Sequence, residues 1–237
     1  MSGRPWLLAL DTATSVVVVA AGTPDGDLLA AETFAAGHRH GSHLLPTITR
    51  LLADCDLALP DLAGVIVGLG PGAFTGLRVG LATAKTLAHD LGLPIVGLST
   101  GEALLSGAAE PPDGVPRGAT SAGLAELFLP AGPHDRVRLR AGSTPALEAG
   151  AMGGEPKAES ASAVAVDLEG RASEAALARG RRALDALPAT LIRLGAARLA
   201  AGAVDDVERL VPEYVSLPRG VTSDLGDGGV SWSRDPR

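Results

Sequence analysis

Residues 6–34, WLLALDTATSVVVVAAGTPDGDLLAAETF, decide the fold. They contain three short apolar runs, at 6–11, 15–22 and 27–34, which are separated by Thr/Ser residues and by Pro-Asp-Gly-Asp. This spacing predicts three consecutive strands joined by tight turns. The run VVVVAA shows no alternation of polar and apolar residues, which is typical of a strand buried on both faces.

Helices and further strands follow this meander. Apolar residues recur at helical spacing after the potential N-cap Ser42, so residues 42–55 predict an amphipathic helix. Residues 75–92 predict a second helix that is apolar or small nearly all round. Strands are predicted at 63–69 and 94–99, and a third helix over the stretch TGEALLSGA that follows them.

The order β-β-β-α-β-α-β favours a mixed sheet, in which antiparallel strands are extended by parallel strands through crossover helices. This order is typical of the actin-like (ribonuclease H-like, ASKHA) α/β fold, a mixed sheet with helices in two related domains. A doubly wound Rossmann sheet is the alternative. It would need a helix between Asp11 and Ser15, and that segment is too short for one.

The composition changes after about residue 108, which indicates a second, divergent part of the chain. We expect an N-terminal actin-like domain at 1–106, a smaller C-terminal actin-like domain at 107–219, and a disordered tail at 220–237. The elements predicted for the C-terminal part are two strands within 119–141, a mobile loop at 142–163, a short strand AVAVDL, and helices at 173–187 and 189–202.

The overall composition excludes several classes of protein. The net charge is −7 and aromatic residues make up 3% of the chain, which argues against a protein that grips nucleic acid by itself. The single Cys55 excludes a disulfide framework. We expect no signal peptide, because only five apolar residues precede Asp11, and no membrane span. These features favour a cytoplasmic protein.

A possible nucleotide turn follows the first predicted strand. In actin-like ATPases an Asp-x-Gly-Thr turn at this place cradles phosphate; here Asp11, Thr12 and Thr14 stand in it, but Ala13 replaces the glycine. A second carboxylate turn is also needed, and the stretch GVPRGATSAGL offers no Asp after Asp113. The turn is therefore either a vestigial nucleotide site or a set of side chains that satisfy local hydrogen bonds.

The glycine-rich stretch at 64–80, GVIVGLGPGAFTGLRVG, resembles a phosphate loop but matches no nucleotide motif well. Pro71 interrupts a Rossmann fingerprint, and Ala84-Lys85-Thr86 lies inside a helix instead of opening one. An anion site at the helix N-terminus remains open. The glycines otherwise serve a tight strand-to-helix turn, with Phe74 in the core and Arg78 anchoring the loop or a partner. The residues of this motif loop are Gly70, Pro71, Gly72, Phe74, Thr75 and Arg78.

Two patterns of polar residues suggest a site, and each also fits a segment that is merely exposed to solvent. His38, His40 and His43 have the close spacing of metal ligands, but no Cys, Asp or Glu lies nearby in the sequence, so a solvated loop is the alternative. Arg136, Arg138 and Arg140 alternate along one predicted strand and suggest a solvated face or a minor contact beside RNA.

The two long predicted helices carry more apolar surface than one sheet face needs, which suggests a partner interface. Gly76 and Gly80 would form a small patch that lets another helix approach closely. The alternative is that both helices are simply buried. The candidate interface residues are Leu44, Leu45, Ile48, Leu51, Leu52, Gly76, Gly80 and Thr83.

Five stretches together resemble the TsaB (YeaZ) family. They are LALDTATS, RHGSHLLPTITRLL, GLGPGAFTGLRVGLATAKTLA, LGLPIVGLST and, near the C-terminus, LGAARLAAGAVDDVERLVPEYVSLPRG. The match covers roughly the first 105 residues and the last stretch to about Gly220. Residues 110–170 match poorly, since the family's Asp-Ala-Arg and Glu-Val-Tyr elements are not legible there.

The resemblance implies a non-catalytic subunit that pairs with TsaD, the transferase that forms threonylcarbamoyladenosine at adenosine 37 of tRNAs reading ANN codons. The ATPase TsaE supports the cycle, so ATP and metal belong to partner subunits and this chain needs no cofactor. Ser99 and Ala103 stand where TsaD has its metal-binding histidines. The family also forms homodimers through its two-helix face, and tRNA contact is expected only through the complex. An actin-like kinase or ATPase and a metallopeptidase are the alternatives.

Overall fold

The first sheet has five strands in the order β3-β2-β1-β4-β5. The computed structural model of the chain describes residues 3–35, 40–109, 126–131, 135–148, 162–215, 221–223 and 230–232. The strands β1 to β3 form an antiparallel meander, and β4 and β5 extend it in parallel with β1. This arrangement confirms the predicted mixed sheet. The bounds are β1 Trp6–Asp11, β2 Val16–Gly22, β3 Leu28–Ala35, β4 Leu62–Gly68 and β5 Ile95–Leu98.

The described residues form four α-helices, none of them long and apolar enough to cross a membrane. They are α1 His40–Asp54, α2 Phe74–Leu91, α3 Thr100–Ala109 and α4 Glu174–Ala200. The prediction of two helices at 173–187 and 189–202 was wrong, because α4 runs through Pro188 without a break. Proline removes one backbone hydrogen bond, but its neighbours Leu187 and Leu191 are fully buried, and this packing keeps the helix continuous.

A second sheet has the order β8-β7-β6-β9. Its strands are β6 Glu126–Pro130, β7 Arg136–Arg140, β8 Ala146–Glu148 and β9 Ala163–Ala165. The order and the pairing directions repeat those of β3-β2-β1-β4, so the chain has the actin-like fold with two related sheets. The predicted domain boundaries at 106 and 219 remain predictions.

Two C-terminal segments differ from the expectations. The predicted loop at 142–163 contains β8, whose Glu148 pairs in register with Arg136; residues 149–161 lie outside the described residues. In the tail predicted as disordered, β10 Val221–Ser223 and β11 Val230–Trp232 form an antiparallel pair. Their valine, threonine and tryptophan residues favour strands. The other residues of that tail lie outside the described ranges.

The apolar residues form layers on both faces of the first sheet. Leu8, Leu10 and Val19 point from this sheet to α1 and α2. On the opposite face Leu7 and Ala9 join a core that contains α3, α4 and residues of the second sheet. The two sheets therefore share one continuous core.

Candidate functional site

Asp11 is fully buried at the end of β1 and accepts two hydrogen bonds from other described residues. Its Oδ1 accepts a hydrogen bond from the Ala13 backbone nitrogen at 2.9 Å. Its Oδ2 accepts one from the Thr100 hydroxyl at 2.6 Å. Burial raises the pKa of Asp11 from 3.8 to about 6, and these two hydrogen bonds oppose the rise. The carboxyl group thus ties the β1–β2 turn to the start of α3.

The two threonines of the predicted nucleotide turn also bond within the chain. Thr12 Oγ1 donates to the Gly76 carbonyl oxygen in α2 at 2.7 Å. Thr14 Oγ1 donates to the Val16 carbonyl oxygen at 3.0 Å and accepts from the Val16 nitrogen at 3.2 Å. The turn therefore has the internal hydrogen bonds that the sequence left open as one alternative, and nucleotide binding by it remains untested.

The motif loop packs directly on this turn. The Ala73 nitrogen donates to the Ala13 carbonyl oxygen at 2.7 Å, and the Thr100 nitrogen donates to the Gly70 carbonyl oxygen at 2.7 Å. A Cβ atom at Gly72 would lie 2.1 Å from that same Ala13 oxygen, so only glycine fits there. Pro71 is buried in the loop. The glycines at this strand-to-helix connection serve close backbone packing.

Phe74 and Arg78 face the C-terminal segment of the chain. The ring centroids of Phe74 and Tyr214 are 5.1 Å apart, and the Arg78 guanidinium carbon lies 3.8 Å from the Phe74 centroid. Arg78 Nε donates to the Tyr214 hydroxyl at 3.1 Å. Phe74 is half-buried, so the expected core position was wrong, and Thr75 beside it is exposed. The three side chains hold residues 212–215 against the loop.

Sequence reasoning missed this aromatic contact, and a double-mutant cycle on Phe74 and Tyr214 tests it. We expect the two alanine substitutions to be coupled by about 1 kcal/mol, since tilted aromatic pairs contribute this much beyond their buried area. Urea denaturation of the two single variants and the double variant measures the coupling. Additive effects of the two substitutions would mean that the rings do not stabilise each other.

A cleft of about 690 Å³ lies beside this segment. It is bounded by the start of α3, the turn between β7 and β8, and residues 213–215. Burial, with the neighbouring charge of Glu102, raises the pKa of Glu213, whereas a hydrogen bond with Ser99 lowers it. Ser99 thus takes part in hydrogen bonding at the cleft, whereas Ala103 is fully buried in the shared core.

The predicted interface leucines divide into two groups. Leu44, Ile48 and Leu51 are at most 5% exposed and pack against the first sheet. Leu45 is 55% exposed and Leu52 is half-buried, so these two are the leucines of α1 that solvent or a partner reaches. Leu44, Ile48 and Leu51 are therefore buried, as the alternative interpretation of the sequence expected. Leu45 and Leu52 remain predicted interface residues.

Gly76 and Gly80 do not form an outward patch. Both are buried, and a Cβ atom at Gly80 would lie 2.2 Å from Thr12 Oγ1. The prediction of a patch that lets another helix approach was therefore wrong. The two glycines instead let α2 approach the β1–β2 turn. Thr83 is half-buried and its hydroxyl donates to the Val79 carbonyl oxygen.

We call the solvent side of the first two helices the outer α1–α2 surface. Both helices cover the same face of the first sheet, so their outward sides lie next to each other. Charged side chains such as Arg50, Arg78 and Asp90 are also exposed on these helices. The exposed or half-buried residues of this surface that carry no charge include Leu45, Thr49 and Leu52 of α1 and Val79, Ala82, Thr83 and Leu87 of α2.

The polar candidates are distributed differently from the expectations. His38 lies outside the described residues, His43 is exposed, and no group of three potential metal ligands occurs among the described side chains. Arg136 is only 8% exposed: it pairs with Glu148 at 2.7 Å and lies over the ring of Phe128. The expected solvated arginine face was therefore wrong for this residue, because its charge is matched within the second sheet.

The chain is similar in sequence to several known proteins. The family model for TsaD, tRNA N6-adenosine threonylcarbamoyltransferase, matches residues 34–130. An uncharacterized protein of Mycobacterium leprae is 43% identical over 101 residues, which cover 41% of this chain and 28% of that protein. The tRNA threonylcarbamoyladenosine biosynthesis protein TsaB of Bacillus subtilis is 37% identical over 98 residues, 41% of this chain and 42% of that protein. The chain thus aligns with less than half the length of these curated relatives.

A crystal structure from Pseudomonas aeruginosa has the same fold. It is described as an uncharacterized protein with similarity to peptidase YeaZ, and it superposes with a TM-score of 0.64 at 23% identity. The superposition covers 90% of this chain and all of the other. The strand order that the two sheets share is that of an actin-like α/β protein. Its similarity to named TsaB proteins, at 35–37% identity over about 100 residues, supports membership of the TsaB (YeaZ) family.

Proposed function

We propose that this chain is a non-catalytic partner subunit of TsaD in the formation of threonylcarbamoyladenosine at adenosine 37 of tRNAs reading ANN codons. The names of its TsaB relatives and the match of residues 34–130 to the TsaD family model support the pathway. In this proposal TsaD and TsaE supply the metal and ATP chemistry, and the chain scaffolds or activates TsaD. It reaches tRNA only through the complex.

The observation that carries this proposal is the outer α1–α2 surface. Leu45 of α1 is 55% exposed, and Leu52 of α1 and Leu87 of α2 are half-buried and pack against the core with part of their surface. Exposed apolar surface on a helix pair can serve as a partner site, because burying it removes it from water. The same surface would serve a homodimer, so TsaD and a second copy of this chain would compete for it.

Replacing Leu45 with aspartate tests the interface directly. The side chain is 55% exposed, so the fold should survive, whereas a charge at the interface would have to lose its water on association. We expect at least a tenfold loss of affinity for TsaD, which corresponds to about 1.4 kcal/mol. Co-expression and quantitative pull-down with TsaD, followed by assay of the tRNA modification, measure both consequences.

A matched control is Leu147→Asp, because Leu147 is a 43% exposed leucine on the second sheet. It should bind TsaD as the wild type does. Undiminished binding by the Leu45 variant would place the interface elsewhere. Ile48 is unsuitable for this test, since it lies in the core and a charge there would report on folding. Tight binding of ATP–magnesium by the isolated chain would instead favour an actin-like ATPase, and stoichiometric zinc or iron would favour a metallopeptidase.

A further inference from the structure

The side chain of Glu213 has a buried oxygen without a hydrogen-bond partner. Its Oε2 atom accepts no hydrogen bond from the residues that the structure describes. The Glu213 backbone nitrogen donates to the Leu69 carbonyl oxygen at 2.8 Å, which fixes the main chain beside the end of β4. A carboxylate oxygen that leaves water without gaining a donor costs free energy, so this atom leaves room for a donor that the chain itself does not supply.

Glu213 lines the cleft of about 690 Å³ described above, and the charge in this cleft is negative. Glu102, in the first turn of α3, is the second carboxylate of its wall, and the described lining residues include no lysine, arginine or histidine. Burial and the neighbouring charge of Glu102 both raise the pKa of Glu213, because each disfavours its ionised form. A cation in the cleft would oppose both effects, whereas an anion would meet two carboxylates without a counter-charge.

Three segments build the cleft, and each is fixed by its own contacts. The start of α3 is tied to the motif loop by the hydrogen bond from the Thr100 nitrogen to the Gly70 carbonyl oxygen. The Ser143 hydroxyl closes the β7–β8 turn by donating to the Arg140 carbonyl oxygen at 2.8 Å. The third segment is held by the contacts of Tyr214 with the motif loop and α2. The cleft is therefore preformed, and a ligand loses little free energy in ordering it.

The rest of the wall suits the aliphatic part of an amine. Leu139, Leu147 and Val215 supply apolar surface, and the hydroxyls of Ser99 and Thr144 supply further acceptors. An ammonium group donates three hydrogen bonds and accepts none, whereas the methylene groups attached to it pack on apolar side chains. A metal ion needs more ligands than two carboxylates, and no group of three potential metal ligands occurs in the described part of the chain.

We propose that this cleft binds a small aliphatic amine, with its ammonium group on Glu213 and Glu102 and its methylene chain against the apolar wall. Glu213 supplies the buried acceptor Oε2, and Glu102 supplies a second carboxylate that is exposed to solvent. The volume of the cleft lies in the range of sites for small molecules. None of its lining residues belongs to the outer α1–α2 surface, so the amine site does not depend on the proposed subunit role.

Titration of the full chain with putrescine, a diamine with four methylene groups, tests the proposal. Tyr214 lines the cleft and is the single tyrosine of the chain, so its ring signals in NMR spectra report on the site. Putrescine should shift these signals to saturation at neutral pH, whereas butanediol, the uncharged diol of the same length, should leave them unchanged. Glu213→Gln keeps the shape of the side chain and removes its charge. It should weaken putrescine binding about tenfold, as expected when a charge-assisted hydrogen bond is lost.

Glu169→Gln is the matched control, because Glu169 is an exposed carboxylate outside the cleft and the change in charge is the same. It should bind putrescine as the wild type does. Glu102→Gln changes an exposed position, so the fold should survive, and it should also weaken binding. Undiminished binding by Glu213→Gln or by Glu102→Gln, or the lack of a saturable shift in the wild type, would overturn the amine site. An equal response to butanediol or to magnesium chloride would overturn it as well, since the ammonium group would then not be what the cleft recognises.

Discussion

Replacing Gly72 with alanine is expected to destabilise the protein by about 3 kcal/mol, at the upper end of the usual cost of overpacking. The new Cβ atom would lie 2.1 Å from the carbonyl oxygen and 2.6 Å from the carbonyl carbon of Ala13. Both are backbone atoms, so no side-chain rotation relieves the overlap. The turn and the loop are each fixed by hydrogen bonds, including that from the Ala73 nitrogen to the same oxygen. Urea denaturation at neutral pH measures the loss.

Gly41→Ala is the control for this substitution. Gly41 lies near the start of α1, and a Cβ atom there would meet nothing within 4 Å. Alanine favours a helix more than glycine does, so this variant should be as stable as the wild type or slightly more stable. Equal stability of the Gly72 variant and the wild type would show that the loop and the turn do not pack as closely as the structure indicates.

The first sheet could be predicted because its signals are local. The runs at 6–11 and 15–22 are short, apolar and bounded by turn residues, and each becomes a strand within a residue of its expected bounds. The order of elements then leaves few topologies open, because parallel strands need a crossover helix. The helix predicted at 75–92 forms at Phe74–Leu91 for the same reason.

The orientation of the helices could not be predicted in the same way. In α1 the residues Leu44, Ile48 and Leu51 form the buried stripe, but Leu45 and Leu52 repeat with the same seven-residue spacing on the exposed side. Periodicity identifies both stripes and does not say which one faces the sheet. Gly76 and Gly80 were misplaced for this reason: their spacing fits a helix contact, whereas their neighbour in the structure is Thr12.

The contacts that define the site join residues that are far apart in the sequence. Arg78 and Tyr214 are separated by 136 positions, and Ser15 and Asp167 by 152. Tyr214 and Asp167 both lie in segments that connect strands and helices, and nothing in the sequence pairs either residue with its partner. Asp11 was identified from its turn, but its partner Thr100 opens α3, 89 positions later. The sequence identified candidate polar residues such as Asp11 and Arg78, but only the folded structure shows which residue each of them contacts.

The buried carboxyl of Asp11 is expected to make the folded protein less stable as the pH rises from about 4 to 7. Burial raises its pKa from 3.8 to about 6, so the folded state binds this proton more tightly than the unfolded state does. The resulting stabilisation is fully present below about pH 4 and is lost as the pH rises through about 6. The difference between the two pKa values corresponds to about 3 kcal/mol.

Asp11→Asn isolates this contribution, because asparagine does not titrate and its side-chain oxygen can still accept the hydrogen bond from the Ala13 nitrogen. The free energy of unfolding is measured by urea denaturation of both proteins between pH 4 and 7. The value for the wild type minus that for the variant should fall by about 2 kcal/mol over this range, which is most of the full difference. A flat profile for Asp11→Asn would mean that Asp11 has the same pKa in the folded and unfolded states, and that its hydrogen bonds with Thr100 and Ala13 balance the cost of burying its charge.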